Sequence, residues 1–261
     1  MSICEGAHIS GSNSVTSGVS RLGREAARAA LDALYPRRCL SCGRWMPRGE
    51  DGFLCVECYE SIEFIERPCP RCGCETGPHS RPGSSCPACR HAVLHFQGVY
   101  AGGTYSTPLK ELVHALKYGR ERSAALPLAQ VLLAALRGTA AAEFAQVVVA
   151  VALHRSRLRS RTFNQSELIG RLVARGLGLP FARALRRTRP TPSQTELSAS
   201  ARRRNVKGAF EVSRPRAIAG RQVLLIDDVI TSCATTSECS KALLAAGALR
   251  VYAAAPARWG M

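Results

Sequence analysis

The chain has 261 residues, of which 46% are hydrophobic, and a formal net charge of +17. That length holds one or two domains with a real core, and no apolar run approaches the roughly 18 residues of a membrane span; the best candidate, 124–136, is short and contains Pro127 and Gln130. The charge favours a polyanionic partner, nucleic acid or a phosphorylated metabolite, although only four of the 36 basic residues are Lys, which a generally arginine-rich composition would also give.

The N-terminus lacks the basic start and apolar core of a signal peptide, which points to a cytoplasmic protein. In that compartment twelve Cys point to metal rather than to disulfides. Residues 1–20 are Ser/Gly-rich and read as disordered, with Cys4 a free thiol, and 21–35 has helical composition. Four Cys-x2-Cys pairs follow: Cys39/Cys42, Cys55/Cys58, Cys69/Cys72 and Cys86/Cys89. Two such knuckles complete one tetrahedral Zn²⁺ site, so the pattern predicts two structural Zn²⁺ sites, paired in sequence order, with interleaved pairing left open. Four Cys ligands leave no open coordination position, which excludes a catalytic role for the metal. Cys74 is a spare that could replace Cys72; His79, His91 and His95 lie near and are not needed. The organisation expected is 1–36 flexible N-terminus and short helix, 37–95 double zinc ribbon, and 96–261 a second domain.

Residues 96–105 read as a strand. Thr107-Pro108 then opens a helix with Thr as cap, buried stripe Leu109, Leu112, Val113 and Leu116, and Gly119 as stop. Lys110, His114 and Lys117 share another face, which a solvated surface explains most simply. A second helix covers 123–136. Residues 145–153 read as a buried strand, followed by an arginine-rich loop and a helix in which Asn164 and Glu167 have the spacing of a cap and its partner. From 183 to 207 there are eight basic residues against one acid, Glu196, with Pro190 and Pro192 marking an extended segment and Ser198 capping a short helix through Arg202–Arg204. That segment suits a lid or a strip that follows a phosphate backbone.

The most informative stretch is Arg221 to Glu238. Val223, Leu224, Leu225 and Ile226 form an unalternating apolar run, as in a parallel strand buried on both faces. It ends in Asp227-Asp228, two of only four Asp in the chain, then Thr231, Ser232, Cys233, Ala234 and Thr235. Thr235 and Glu238 have capping-box spacing for the next helix, Gly247 stops it, and 249–255 forms a further strand. A loop entering a helix presents unpaired N–H groups and the positive end of the dipole to a phosphate. Adjacent carboxylates can accept from a vicinal diol, so the stretch describes a site for a 5-phosphoribosyl group. A nucleotide-hydrolysing enzyme would need a Gly-rich loop ending in Gly-Lys, and no Gly-Lys pair exists.

This stretch resembles the 5-phosphoribosyl pyrophosphate (PRPP) signature of type I phosphoribosyltransferases, except that Cys233 stands where those proteins usually have Gly. With the Cys pairs, Leu116-Lys117-Tyr118-Gly119, Phe163-Asn164-Gln165, Thr191-Pro192-Ser193-Gln194 and Arg203-Arg204-Asn205-Val206-Lys207-Gly208-Ala209-Phe210, the chain from about residue 37 onward resembles the ComF family, associated with DNA uptake in natural transformation. Two further departures are Val149-Ala150-Val151-Ala152-Leu153-His154 for Val-Pro-Val-Pro-Leu-His, and Thr162 for Gly in Arg-Gly-Phe-Asn-Gln. The resemblance implies an α/β fold, a doubly wound parallel sheet of the type I phosphoribosyltransferase kind, with the Cys4 zinc-ribbon module in place of the usual hood. It implies that Asp227 and Asp228 hold the ribose hydroxyls as the catalytic acids, that Thr231–Thr235 hold the 5′-phosphate, and that Mg²⁺ joins PRPP. Arg155, Arg157, Arg161 and Lys117 would meet pyrophosphate or nucleic acid. The alternative is a non-catalytic accessory that binds single-stranded DNA.

Overall fold

The computed structural model describes residues 38–46, 53–78, 85–191 and 199–260, with positions 23, 80 and 83. The expectations for 1–20, for the helix at 21–35 apart from Gly23, and for Cys4, His79, Pro192 and Ser198 lie outside the described residues.

The centre is a parallel sheet. Strands β1 (Val99–Thr104), β2 (Val147–Ala150), β3 (Phe181–Ala182), β6 (Gln222–Ile226) and β8 (Arg250–Arg258) run in the order β1-β8-β6-β2-β3, and β7 (Val229–Ile230) also pairs with β8. Every pairing in this sheet is parallel. Alternate residues of β6 enter different cores: Val223 and Leu225 one, Leu224 and Ile226 the other. Burial on both faces is why that run carries no polar alternation.

One face is covered by α2 (Leu109–Lys117), α3 (Ala125–Leu136) and α6 (Gln165–Gly176), whose apolar stripes meet Val148, Leu224 and Tyr252. The other is covered by α8 (Ala234–Ala245), the antiparallel pair β4 (Leu185–Arg187) and β5 (Phe210–Val212), and the second Cys cluster. The first Cys cluster carries the short helix α1 (Val56–Glu60), and Ile62 after it joins the first face. Also present are α4 (Ala140–Phe144), α5 (Arg155–Arg161) and α7 (Ala199–Val206). Among the described residues no helix is long and apolar enough to cross a membrane.

Several local expectations are corrected. Strand β2 ends at Ala150, and the arginine-rich stretch after it is the helix α5, with His154 as its N-cap accepting from Ser156 N. Neither proposed capping box forms. Helix α8 starts at Ala234 with Cys233 as N-cap, and Glu238 accepts from Gly208 N at 2.8 Å instead. Asn164 occupies the N-cap position of α6, but its amide donates to Val151 O at 2.9 Å, while Glu167 pairs with Arg171 and Arg183. Pro108, not Thr107, is the cap residue of α2, and Thr107 Oγ1 bonds Glu111. In each case a partner distant from the helix end, or a side chain one turn on, outcompetes the cap.

Candidate functional site

Parallel strands bring their C-terminal ends to one side of the sheet, where crevices form. Here the ends of β1, β2, β6 and β8 border a cavity of about 450 Å³ lined by Asp227, Asp228, Thr231, Cys233, Thr235 and Lys117 among others. Asp228, 9% exposed, pairs with Lys117 Nζ at 2.8 Å. Asp227 Oδ1 accepts from Ser166 Oγ at 3.1 Å and from Asp228 N at 2.9 Å. Burial, and then the neighbouring Asp228 charge, push the Asp227 carboxyl up to about 7. Burial alone would lower the Lys117 ammonium, but the two carboxylates outweigh it and raise its pKa. The pair therefore has one fixed cation against two acids and remains able to take hydroxyl donors or a further cation.

The hydroxyl-bearing turn closes one wall. Thr231, Cys233, Ala234 and Thr235 line the cavity, and the amides of the first turn of α8 have no intrahelical acceptor. Cys233 adopts φ +59°, the left-handed region that favours Gly, and Thr162, the other residue standing for a family Gly, has φ +66°. Both departures thus keep the backbone that Gly would give. The Cys233 side chain is 4% exposed and its Sγ lies 3.9 Å from Cys72 O, so it turns toward the second ribbon. Burial pushes its thiol up to about 12, the range of an inert structural Cys. Ser232 faces a different, smaller cavity of about 230 Å³, and its Oγ is buried without a partner.

The opposite wall is basic. Arg157 and Arg161 from α5 line the main cavity, and Arg161 stacks over the Tyr118 ring at 5.5 Å. Arg155 does not join them: it lines a neighbouring cavity of about 610 Å³ with Glu167, Arg183 and Arg186. Arg187 and Arg202, single residues in an arginine-rich segment, also line the main cavity. Burial, then the adjacent Arg157, lower the Arg187 guanidinium; burial, then Arg161, lower Arg157. Such mutual repulsion is relieved by an anion. Lys110 and His114, read above as a solvated face, also line this cavity with Lys117. Ser166 and Arg187 carry no motif; only tertiary placement reveals them.

The Cys pairs form two groups in sequence order: Cys39, Cys42, Cys55 and Cys58, then Cys69, Cys72, Cys86 and Cys89, with the sulfur atoms of each group within 4.8 Å of one another. Separations of 3.8 Å for Cys42–Cys55 and 3.5 Å for Cys69–Cys89 and Cys72–Cys86 fit the edge of a tetrahedron with Zn–S near 2.3 Å, about 3.8 Å. Both are closed, structural zinc sites. Cys74 sits beside the second, 3.3 Å from Cys72. No described ribbon residue lines the main cavity, and the second ribbon packs behind the turn against Cys233.

Residues 30–90 match the family model described as a double zinc ribbon domain. Among solved structures, the chain is similar to the glutamine PRPP amidotransferase of B. subtilis, at 17% identity, TM-score 0.38, 54% of this chain and 30% of that one. It is also similar to the adenine phosphoribosyltransferase of Leishmania tarentolae, at 20% identity, TM-score 0.30, 49% of this chain and 54% of that one. The chain is 32% identical to the DNA utilization protein YhgH of Escherichia coli K12 over 220 residues, 83% of this chain and 94% of that protein. It is 28% identical to competence protein F of Haemophilus influenzae over 229 residues, 86% and 96% of the two chains. With these similarities over most of the chain and the double zinc ribbon at its start, this protein belongs to the ComF family.

Proposed function

We propose that the main cavity binds PRPP or another 5-phosphoribosyl group. The observation that carries this reading is that the adjacent Asp227 and Asp228, the turn at the start of α8, and a wall of cations all border one cavity of about 450 Å³. In this reading Asp227 and Asp228 accept from the ribose hydroxyls. The amides of the turn, with the hydroxyls of Thr231 and Thr235, hold the 5′-phosphate, and Lys117, Arg157 and Arg161, joined by Arg187, face the pyrophosphate. Arg155, in the adjoining cavity, is left for a longer ligand. The two carboxylates with a single Lys partner suit Mg²⁺, which they would hold together with the ligand's own oxygens; bound there it would offset the charge of a departing pyrophosphate. The chain's own part in phosphoribosyl transfer is to orient the sugar and to bind the leaving group.

A second reading is favoured by helix α7. It puts Arg202 on the main cavity and Arg203 and Arg204, with Lys207 just after the helix, on the smaller one beyond the same turn, so phosphate-binding groups continue past the ribosyl site. A single-stranded DNA whose 5′-phosphate enters the turn would use both. The names of the relatives, DNA utilization and competence, accord with such a cytoplasmic role in handling incoming DNA. Calorimetric titration separates the two. Saturable PRPP binding that requires Mg²⁺ and is abolished by Asp227→Asn is the expected result for the first. Binding of single-stranded DNA that falls steeply with salt and ignores Asp227→Asn, with no PRPP binding, would replace it by the second.

A further inference from the structure

Arg258 ends strand β8 with only 1% of its surface exposed. A guanidinium in such a place is tolerated only where its donors are taken up. They are taken up by three separate segments. Nε donates to Cys72 O at 2.8 Å, Nη1 donates to Ile230 O at 3.2 Å and to Thr231 O, and Nη1 also reaches Trp259 O at 2.6 Å. Nη2 lies 3.9 Å from Cys233 Sγ, which itself packs on Cys72 O. A rigid fork with five donors can span such a junction; an ammonium on a flexible stem cannot.

The two ends of this junction differ in kind. Cys72 is a ligand of the second zinc site, in a knuckle closed by Gly73 N donating to Cys69 O at 2.8 Å. A Cβ on Gly73 would come within 2.8 Å of Val99, so the knuckle is seated directly on β1. Such a knuckle holds its shape because the metal holds its sulfurs. At the other end, Ile230, Thr231 and Cys233 belong to the turn that borders the cavity, where Cys233 keeps a left-handed backbone that its surroundings must impose.

We infer that Arg258 is a positioning residue that couples occupancy of the Cys69/Cys72/Cys86/Cys89 zinc site to the shape of the phosphate-binding turn. The inference rests on the reading of that turn as the holder of a 5′-phosphate. It gives a metal with a closed ligand set a part in ligand binding, through the fold and without touching the ligand.

Three measurements on the full chain test it: zinc per chain by mass spectrometry, amide hydrogen exchange over 229–236, and calorimetric titration with ribose 5-phosphate. Arg258→Met is expected to keep two zinc ions, exchange faster in the turn, and bind at least about tenfold more weakly, as the loss of hydrogen bonds from a charged donor implies. Cys86→Ser is expected to lose one zinc ion and show the same two changes. Arg250→Met, which removes an exposed charge from the start of the same strand, is expected to change none of them. Arg258→Met with two zinc ions, wild-type exchange and wild-type affinity would overturn the coupling, as would Cys86→Ser with zinc lost and the turn unchanged. Should Arg258→Met not fold, Arg258→Lys carries the same readouts. If ribose 5-phosphate does not bind even the wild type, the phosphate reading of the turn fails, while the exchange comparison still decides whether the zinc site and the turn are coupled.

Discussion

The two zinc ribbons share a motif and differ in how they are used. In the first, Cys42 is exposed and Cys58 half-buried; in the second, all four ligands are buried and belong to the same core as Val99, Leu225, Cys233 and Ala255. The first meets the domain through the half-buried Leu40 and Leu54 and through the segment after α1, where Ile62 packs and Glu63 O bonds Thr104 N at 2.8 Å. The second is part of one face of the sheet. A repeated sequence motif therefore yields one peripheral module and one piece of core, and the difference comes from what each knuckle touches rather than from its ligands.

Zinc removal gives the largest test of that difference. Cys69→Ser is expected to lower the melting temperature of the whole chain by roughly 10 °C or more, since metal binding is folding free energy and this site is in the core. Cys42→Ser should shift it by only about 3 °C. Equal shifts in calorimetry would erase the distinction. A matched glycine pair is the next largest. Gly43 and Gly73 both have positive φ, but a Cβ on Gly43 meets nothing within 4 Å, whereas on Gly73 it meets Val99 at 2.8 Å. Gly43→Ala is expected to cost about 1 kcal/mol from backbone strain alone, and Gly73→Ala about 3 kcal/mol because overpacking is added. Chemical denaturation measures both, and a Gly73→Ala no worse than Gly43→Ala would mean that the second knuckle is not seated on β1.

A third pair compares a strained turn backed by the second ribbon with one that is not. Thr162 is exposed at φ +66°, and Thr162→Gly should stabilise the protein by about 1 kcal/mol. Cys233→Gly relieves the same strain but gives up a buried side chain against Cys72 and Arg258, so no net gain is expected. The last test belongs to the pocket side alone. Asp227 stands at about 7 against 3.8 unfolded, so folding takes up a proton across that interval. Its favourable contribution is complete below 3.8 and is lost as pH rises through about 7. The melting temperature of the wild type should therefore fall from pH 4 to 8 relative to that of Asp227→Asn; parallel curves would place the proton elsewhere.

The zinc pairs, the unalternating β6 run and the Asp-Asp turn are local patterns, and all three were legible in the sequence. Each is dictated by spacing within a few residues. What was not legible depends on residues brought together from afar. Lys110 and His114 read as surface until α2 is seen to border the cavity, and Ser166 means nothing until α6 starts beside Asp227. Arg187 and Arg258 are single members of a large arginine population whose burial no periodicity announces. The caps failed for the same reason: Glu238 and Asn164 have the right spacing for local bonds, yet Gly208 N and Val151 O, supplied by the tertiary fold, win. The two positive-φ positions show the converse, since a family Gly can be replaced without moving the backbone when neighbouring packing holds it.

Strand β1 is the outer strand of the sheet, and its open side is met by the backbone of the stretch joining the two ribbons: Thr104 N bonds Glu63 O, and Gly103 lets that carbonyl approach where a Cβ would lie 2.7 Å from it. An uncovered strand margin is a template for joining another chain's strand, which is how soluble proteins aggregate. Cutting the ribbons away at residue 96 would thus do more than remove metal. It would bare a row of main-chain donors and acceptors on β1, and the remaining domain should self-associate through that margin.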